Sequence, residues 1–233
     1  MLSIVIPTYN EAKSIGILVG QIARILGSET FEIVVVDDDS PDGTWQIVEQ
    51  LPADLHARVV RRHARRDLSK AVVEGFAAAR GGILGVMDAD LSHPPELIPA
   101  MLSLIRADGV DMVVASRLVP GGGTEDWPAS RKLTSRIGTL LARPFTHVRD
   151  PMSGYFLFKR EAIEGVRLRP RGYKICLEIL VRGNVRRVRE IPFIFRDRTT
   201  GESKIGLRQD FDYLVQLLSL ACFRLRGRVA GHR

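Results

Sequence analysis

Two carboxylates one residue apart end an apolar run in the first half of the chain. Asp88 and Asp90 follow the run at residues 83–87, in the stretch GVMDADLSHPP. Neighbouring carboxylates repel each other unless a positive group lies between them, so the spacing indicates a metal ion, a basic side chain or water. Such oxygen ligands suit Mg²⁺ or Mn²⁺ with a shell completed by water or phosphate. The structural alternative is a cap for the helix that begins near Pro94 and Pro95.

A second acidic cluster follows another strongly apolar run. FEIVVV at residues 31–36 predicts a buried strand, and DDDSPDGT comes directly after it. Asp37 and Asp38 are hard to explain as turn formers, and carboxylates there can accept hydrogen bonds from ribose hydroxyls or from a base N–H. Asp42 has the alternative role of forming a turn alone, because Ser-Pro-Asp-Gly is a good β-turn.

The order of the motifs along the chain predicts the fold class. Helical patterns alternate with short apolar runs, which lie near residues 3–6, 31–36, 58–61, 83–87 and 111–116. This alternation indicates an α/β domain with a mostly parallel central sheet flanked by helices, and Asn10 and Ser69 are the expected caps of two of them. Ligands bind beyond the carboxyl ends of parallel strands. We therefore expect PTYNE, DDDSPDGT, DADLS and SR to form one site.

Composition limits the classes of protein that the chain can belong to. Its 233 residues suit one large α/β domain, and a net charge of +7 indicates anionic partners such as phosphorylated substrates, acidic lipids or nucleic acid. Cys176 and Cys222 lie far apart, so neither a disulfide framework nor a zinc site is expected. We see no signal peptide, and the apolar stretch at residues 213–223 is too short to span a bilayer. These features predict a cytoplasmic protein, either soluble or peripheral on a membrane.

The second half of the chain has a different organisation. Glycines at 121–123 precede a helix with an arginine-rich face, and RTTGESK forms a polar loop before a last helix. That helix carries an apolar stripe of Phe211, Leu214, Val215, Leu218, Cys222 and Leu225. It either docks on the preceding domain or lies at a membrane interface with its arginines on anionic headgroups. The expected division is a catalytic domain at 1–206 and an amphipathic helix with a basic tail at 207–233.

Six motifs occur in one order between Ile4 and Lys204: PTYNE, VVVDDDSPDGT, DADLSHPP, SR before VPGG, DPMSGYF and GESK. Together they resemble the inverting glycosyltransferases of the GT-A fold, and specifically the polyprenyl-phosphate (dolichyl-phosphate) mannose synthases. The resemblance implies a Rossmann-like GT-A domain. It further implies metal-dependent transfer of mannose from GDP-mannose to the phosphate of a polyprenol, with inversion, at the cytoplasmic face of a membrane.

The resemblance also implies roles for individual residues. It makes Asp88 and Asp90 ligands of Mg²⁺ or Mn²⁺ and, with Arg117, the catalytic residues. The nucleotide sugar would contact Pro7, Tyr9, Glu11, Val36, Asp38, Ala89, Ser92, Arg198 and Lys204. The acceptor phosphate would contact Arg117, Arg131 and Ser135. Ser92 and Leu118 replace a Gln and an aromatic residue of the family pattern, and residues 63–69 lack its glycines, so the details of the donor pocket differ.

The residue types agree with this chemistry. A phosphate acceptor is already an anion at neutral pH, so its attack on the sugar needs little or no general base. The departing diphosphate does need its charge neutralised, which a divalent ion on Asp88 and Asp90 would do together with Arg117, Arg198 and Lys204. Direct displacement would convert an α-linked donor into a β-linked product.

Other functions remain as alternatives. Within the enzyme class, the donor is alternatively UDP-glucose or another UDP-sugar, because related polyprenyl-phosphate transferases share most of these motifs. A basic module that binds nucleic acid would need aromatic residues among its arginines, and aromatic residues are only 6% of the chain. A lipid- or sugar-binding relative without activity is a further alternative. Several relatives carry spanning helices beyond this point, so a membrane-tethering partner subunit, a form without such helices and a shortened chain all remain open.

Overall fold

The computed structural model describes residues 1–125, 127–169, 171–196 and 207–230, with the side chains of the last helix described from 211 to 226. The strands have these bounds: β1 (Leu2–Thr8), β2 (Phe31–Asp37), β3 (Ala57–Arg61), β4 (Ile83–Val86), β5 (Met112–Ser116), β6 (Gly123–Thr124), β7 (Phe156–Lys159), β8 (Val188–Pro192) and β9 (Ile194–Phe195). The α-helices have these bounds: α1 (Ile15–Leu26), α2 (Thr44–Glu49), α3 (Leu68–Ala78), α4 (Ile98–Arg106), α5 (Ala129–Ala142), α6 (Ile175–Arg182) and α7 (Leu207–Ala230).

The main sheet of the described chain has the order β3-β2-β1-β4-β7-β5-β8. Neighbouring strands are parallel except at β7, which is antiparallel to both β4 and β5. A short parallel pair of β6 and β9 lies apart from this sheet. The predicted α/β class with a mostly parallel sheet is confirmed. Because β7 runs the other way, its amino end meets the carboxyl ends of β4 and β5 at one edge.

Both faces of the sheet are buried, which explains why its strands are nearly continuous runs of branched apolar residues. One face packs against α1 and α4, in a core that includes Ile4, Ile33 and Val113. The other packs against α3 and α6, in a core that includes Val5, Val34 and Val114. Successive residues of a strand point to opposite faces, so each strand contributes to both cores. The polar residues that follow the strands are left at the sheet edge.

Two predicted helix caps are wrong. α1 begins at Ile15 rather than near Glu11, and Asn10 has a φ of 59°, which places it in a left-handed turn before the helix. The cap of α3 is Asp67 and not Ser69, since the Asp67 carboxylate accepts a hydrogen bond from the Lys70 N–H at 3.0 Å. In both cases the residue that the sequence favoured lies within five residues of the helix start, but tertiary contacts set the boundary.

α7 docks on α5 and α6, but not through the stripe that the sequence indicated. Its buried face consists of Tyr213, Gln216, Leu217 and Leu220, and the Tyr213 hydroxyl donates to the Gly138 carbonyl at 2.6 Å. The predicted stripe is largely exposed, at Phe211, Leu214, Leu218, Cys222 and Leu225. Gln216 is only 2% exposed, and its amide donates to the Lys174 carbonyl at 3.1 Å. The helix therefore has one apolar face in the protein and another in solvent.

None of the described helices is both long enough and apolar enough to cross a bilayer. The boundary between a domain at 1–206 and a helix at 207–233 falls beside residues outside the described ranges. That division therefore stays a prediction.

Candidate active site

A cavity of about 1010 Å³ opens at the carboxyl edge of the sheet. It is lined by most of the residues that the sequence singled out, namely Pro7, Tyr9, Glu11, Asp38, Asp88, Ala89, Asp90, Arg117, Arg131 and Ser135. These come from the ends of β1, β2, β4 and β5 and from α5. The structure thus brings the separate polar motifs together in one place, as the crossover connections of a parallel sheet require.

The DADLS turn fixes the two carboxylates of the β4 end. Asp90 Oδ1 accepts hydrogen bonds from the Ser92 hydroxyl at 2.5 Å and from the Ser92 N–H at 3.1 Å. Leu91, between them, has a φ of 64°, which is unfavourable for a residue with a Cβ and is held by those contacts. Neither Asp88 nor Asp90 caps the following helix, since no side chain caps its start at Pro94 or at Leu97. The capping alternative is therefore wrong.

The carboxylate pair fits a divalent cation that keeps other ligands. Within the described residues, no group of three or more His, Cys, Asp or Glu side chains could enclose a metal ion on its own. Asp88 and Asp90 both line the open cavity, so a bound ion would complete its shell with water or with the oxygens of a ligand. This is the arrangement in which Mg²⁺ and Mn²⁺ bind beside phosphates.

A buried aromatic cluster packs against the DADLS turn. His93 is 2% exposed, stacks on Tyr155 with 5.1 Å between ring centroids, and accepts a hydrogen bond at Nδ1 from the Asp88 N–H at 3.1 Å. The Tyr155 hydroxyl donates to the Pro94 carbonyl at 3.0 Å. Burial lowers the pKa of His93, with the charge of Asp88 opposing this shift. His93 is therefore a neutral packing residue that orients the backbone at Asp88.

Gly154, in the DPMSGYF motif, lies directly against the metal-ligand candidate. A Cβ atom at this position would lie 3.1 Å from Oδ2 and 3.2 Å from Oδ1 of Asp88. Such contacts are tighter than ordinary van der Waals contacts, so only glycine leaves Asp88 undisturbed. The loop before β7 therefore shapes the site through its backbone.

Asp38 directly follows the carboxyl end of β2 and belongs to a buried ionic network. Its carboxylate pairs with Arg62 at one oxygen and accepts from the Asp67 N–H at the other, 3.1 Å away. Burial raises the pKa of Asp38, and the charge of Arg62 opposes this shift. Arg62 also pairs with Glu74 at 2.9 Å. The network fixes the Asp38 side chain at the cavity wall, where it can accept from a ligand N–H or hydroxyl.

Two other acidic residues of the second cluster form hydrogen bonds that stabilise loops. Asp37 is fully buried and accepts from the Thr8 hydroxyl at 2.8 Å and from the Ser40 N–H at 2.7 Å. Asp42 accepts from the Thr44 N–H and from the Ala12 N–H, both at 3.0 Å. Asp42 thus forms its turn and also joins that turn to the PTYNE loop, a link that the turn-only alternative did not contain.

Arg117 and Asp150 form a bidentate pair at the cavity wall. Asp150 accepts from Arg117 Nε and Nη2, each at 2.8 Å, and from the Arg117 N–H at 3.0 Å. Burial opposes the charge of Asp150, but the hydrogen bonds from Arg117 outweigh it, so the pKa of Asp150 is lowered. The Asp150 N–H in turn donates to Glu190 at 3.1 Å. The guanidinium is therefore held in one orientation with a face toward the cavity.

Arg131 reaches the same wall from α5 by stacking. Its guanidinium carbon lies 4.0 Å from the centroid of the Trp127 ring, and that of Arg117 lies 5.4 Å from the same ring. Trp127 contacts Phe195 in turn, with 5.3 Å between centroids. Two guanidinium groups near one indole place two positive charges at one wall of the cavity. Ser135, one helical turn after Arg131, lines the cavity beside it.

Four of the predicted site residues either do not line the cavity or lie outside the described residues. The Val36 side chain is fully buried in the core beneath α3 and does not line the cavity, and its expected contact with the nucleotide stays a prediction. Ser92 is 3% exposed and acts on Asp90 instead of facing the cavity. Arg198 and Lys204 lie outside the described residues.

Sequence reasoning missed several residues of this wall. Trp127, Asp150 and Lys174 line or support the cavity but were not singled out. Arg66 stacks on Tyr9, with its guanidinium carbon 4.4 Å from the ring centroid. Signals were present, since Trp127 is one of two tryptophans and Asp150 lies in DPMSGYF. Their partners, however, are more than ten residues away in most cases, so spacing alone does not reveal the contacts.

Comparison with known proteins agrees with this geometry. Residues 3–167 match the family described as "Glycosyl transferase family 2". A dolichol-phosphate mannosyltransferase of Pyrococcus furiosus is 43% identical over 94% of this chain, which spans 63% of that protein. Proteins of the same name from Mycosarcoma maydis and Saccharomyces cerevisiae are 36% and 35% identical over 95% of this chain, which spans 79% and 87% of them. The resemblance that the motifs indicated is confirmed.

Solved structures place the fold in the same class. Glucosyl-3-phosphoglycerate synthase from Mycobacterium tuberculosis, in complex with Mn²⁺, UDP-glucose and phosphoglyceric acid, superposes with a TM-score of 0.71 at 21% identity. The match covers 94% of this chain and 79% of that one. The GT-A fold class expected from the motifs is thus confirmed, and with the match over residues 3–167 it identifies the family. The chain belongs to glycosyl transferase family 2.

Proposed function

We propose that the protein transfers mannose from GDP-mannose to the phosphate of a polyprenol, with inversion and with a divalent metal ion. The observation that carries this proposal is a single cavity whose lining combines Asp88 and Asp90 with Arg117 and Arg131, both of which contact the Trp127 ring. The carboxylates suit a metal-bound diphosphate and the guanidinium groups suit a second phosphate. The names of the relatives that match over most of this chain support a polyprenol phosphate as acceptor and mannose as the sugar.

The residues divide between the two substrates. We assign Asp38, Tyr9 and Glu11 to the nucleotide, with the wall formed by Pro7 and Ala89, and Arg198 and Lys204 to the donor diphosphate. Ser92 acts on the donor side through Asp90. Arg117, Arg131 and Ser135 face the acceptor phosphate. When bound at Asp88 and Asp90, Mg²⁺ or Mn²⁺ supplies positive charge for the departing diphosphate.

The reaction is a single displacement. An oxygen of the acceptor phosphate forms a bond to the sugar C1, while the bond from C1 to the nucleotide diphosphate breaks and its electron pair leaves with GDP. The acceptor oxygen is already anionic, so no proton has to be removed. The acceptor nitrogen of the buried His93 is occupied by the Asp88 N–H, consistent with a site that uses no histidine base. Attack from the face opposite the diphosphate converts the α-linked donor into a β-linked product.

The division of the chain is part of the proposal. We assign residues 1–206 to the catalytic domain and residues 207–233 to an amphipathic helix with a basic tail at the membrane. α5 and α7 together expose a set of large apolar side chains on one side of the molecule. This exposed set consists of Leu133, Ile137, Leu140, Leu141, Phe211, Leu214, Leu218 and Leu225. An apolar face of this kind beside arginines suits the interface of an anionic bilayer on the cytoplasmic side.

Replacing Leu140 and Leu218 with glutamate is expected to reduce binding to vesicles of phosphatidylglycerol and phosphatidylcholine by tenfold or more. Both side chains are at least two-thirds exposed, at 70% and 67%, so the fold does not depend on them. Each substitution removes apolar area that the bilayer would bury, and it adds a negative charge that anionic lipid repels. Sedimentation with vesicles measures the effect. Ile17→Glu, at a residue of α1 that is 54% exposed, is the matched control. Equal loss of binding in that control would contradict the proposal.

Replacing Gly154 with alanine is expected to reduce turnover about tenfold or more, because the new methyl group displaces Asp88 from its position. Titration of nucleotide binding with Mn²⁺ would show the same loss, whereas the melting temperature would change little. Gly20→Ala is the control, since no atom lies within 4 Å of a Cβ there. Normal Mn²⁺ dependence in Gly154→Ala would remove Asp88 from the metal site.

A panel of donors tests the proposed function. Purified protein is given a short polyprenyl phosphate and radiolabelled GDP-mannose, UDP-glucose or UDP-N-acetylglucosamine, with Mn²⁺ or with EDTA. Lipid-extractable label from GDP-mannose that is lost in EDTA is the expected result. Label from a UDP-sugar alone would replace the donor and keep the mechanism. No transfer from any donor, by protein that still binds nucleotide, would overturn the proposal.

A further inference from the structure

Lys174 is a charged residue of the cavity that the assignments above leave without a role. It immediately precedes α6 and is half-buried, and its side chain lines the cavity together with Arg117. The fold fixes its backbone from two directions. The Lys174 carbonyl accepts from the Glu178 N–H at 3.3 Å and from the Gln216 amide at 3.1 Å. The ammonium group is therefore brought to the cavity by α6 and α7 and is not a mobile surface charge.

Three carboxylates of this region pair with other cations. Asp150 binds Arg117 at 2.8 Å, Glu178 binds Arg182 at 2.7 Å, and Asp212 lies 3.6 Å from Arg171. In the described part of the chain, no carboxylate forms an ion pair with Lys174. Its Nζ contacts the Tyr173 ring, 4.0 Å from the centroid. An aromatic face stabilises a cation less than a hydrogen-bonded anion does, so this charge is only partly compensated.

The electrostatic surroundings agree with that geometry. Burial lowers the pKa of Lys174 to about 7, and the charge of Arg117 acts in the same direction. Asp150 and Asp88 oppose the shift without reversing it. A buried cation without a full partner is unfavourable in the free protein. A ligand anion at this place would relieve the cost for Lys174 and for Arg117 together.

We propose that Lys174 binds a phosphate oxygen of a substrate beside Arg117 and is a binding residue of this site. The inference rests on the proposed function only in naming the phosphates, which are those of the donor diphosphate and the acceptor. The start of α6 supports it, because the positive end of that helix faces the same cavity through Lys174 and Ile175. Three cationic side chains, Arg117, Arg131 and Lys174, then surround the position of one phosphate group.

Direct binding of two phosphate probes tests the inference. The probes are GDP with Mn²⁺ and farnesyl phosphate in detergent, each titrated by calorimetry into wild type and into Lys174→Met, which keeps the length of the side chain and removes its charge. We expect the dissociation constant of one probe to rise at least tenfold in the variant. A loss confined to GDP identifies the donor diphosphate, and a loss confined to farnesyl phosphate identifies the acceptor.

Controls separate binding from folding. Lys13→Met changes an exposed lysine outside the cavity and is expected to bind both probes as wild type does. Lys174→Arg keeps the charge and is expected to recover part of the lost affinity. If Lys174→Met is unfolded by circular dichroism, Lys174→Gln takes its place. Dissociation constants within twofold of wild type for both probes would overturn the inference.

The two proposals fail in different ways. Wild-type protein that binds the probes but transfers no mannose would refute the proposed function, while the comparison with Lys174→Met would still decide the role of Lys174. If wild type transfers mannose and Lys174→Met binds GDP and farnesyl phosphate with unchanged dissociation constants, the inference alone is refuted.

Discussion

Asp90→Ala is expected to lower mannosyl transfer by about a thousandfold, which corresponds to an increase of about 4 kcal/mol in the activation barrier. The proposed metal ion has two protein ligands, so the loss of one carboxylate leaves a site too weak to hold the ion at ordinary concentrations. Transfer measured over a range of Mn²⁺ concentrations gives the effect. The loss should not be recovered at millimolar Mn²⁺.

A second variant separates charge from loop structure. Asp90 Oδ1 accepts two hydrogen bonds from Ser92, so alanine also loosens the turn. Asp90→Asn keeps an oxygen for both contacts and removes the charge, and we expect it to be as inactive as alanine. Asp108→Ala, at an exposed residue outside the cavity, should keep full activity. Near-normal transfer by Asp90→Asn would show that the carboxylate is structural and would remove it from the metal site.

Asp150→Asn is expected to destabilise the protein by about 3 to 5 kcal/mol, because it leaves the Arg117 guanidinium buried without a counter-charge. The Asp150 side chain is 0% exposed and that of Arg117 is 12% exposed, so solvent screens this pair little. Urea denaturation followed by circular dichroism measures the free energy of unfolding. Glu29→Gln breaks the exposed pair with Arg106 and should show no measurable loss. Equal stability of wild type and Asp150→Asn would contradict the ionic role of the pair.

The Arg117–Asp150 pair also predicts how the difference in stability between wild type and Asp150→Asn depends on pH. The pKa of Asp150 is lowered in the folded protein, so the unfolded chain binds a proton more readily than the folded one. The stabilisation is complete above the ordinary Asp pKa of about 3.9 and is lost as pH falls through the lower pKa of the folded state. We therefore expect the difference in free energy of unfolding to be constant from pH 7 to pH 5 and to shrink below pH 4.

The sequence predicts the sheet because both of its faces are buried. Runs such as FEIVVV have one stable environment, between two layers of helices, and polar residues after them must lie at the sheet edge. Asp88, Asp90 and Asp38 could therefore be assigned to one site without coordinates. Val36 was assigned to the site only by the resemblance, and its side chain lies in the core beneath α3.

Features that depend on distant partners could not be predicted. Asn10 is a residue type that often caps helices. However, its N–H donates to Ser40 and the Ala12 N–H donates to Asp42, and these contacts place the helix start later. The faces of α7 were misassigned because two apolar stripes lie on that helix, and only contact with α5 and α6 decides which is buried. Lys174 was not singled out from the sequence, since its place in the cavity beside Arg117 depends on residues far away in the chain.

The antiparallel strand β7 has a consequence for how the protein is made. In the sheet it lies between β4 and β5, but it follows both in the chain. While the chain is still emerging from the ribosome, β1 to β4 can pair, but β4 keeps a bare edge and β5 has no neighbour until residues 156–159 arrive. An open edge of this kind invites wrong pairing with other chains. The loop before β7 also brings Asp150 to Arg117, so a nascent chain acquires the Arg117–Asp150 pair only as the gap between β4 and β5 is filled.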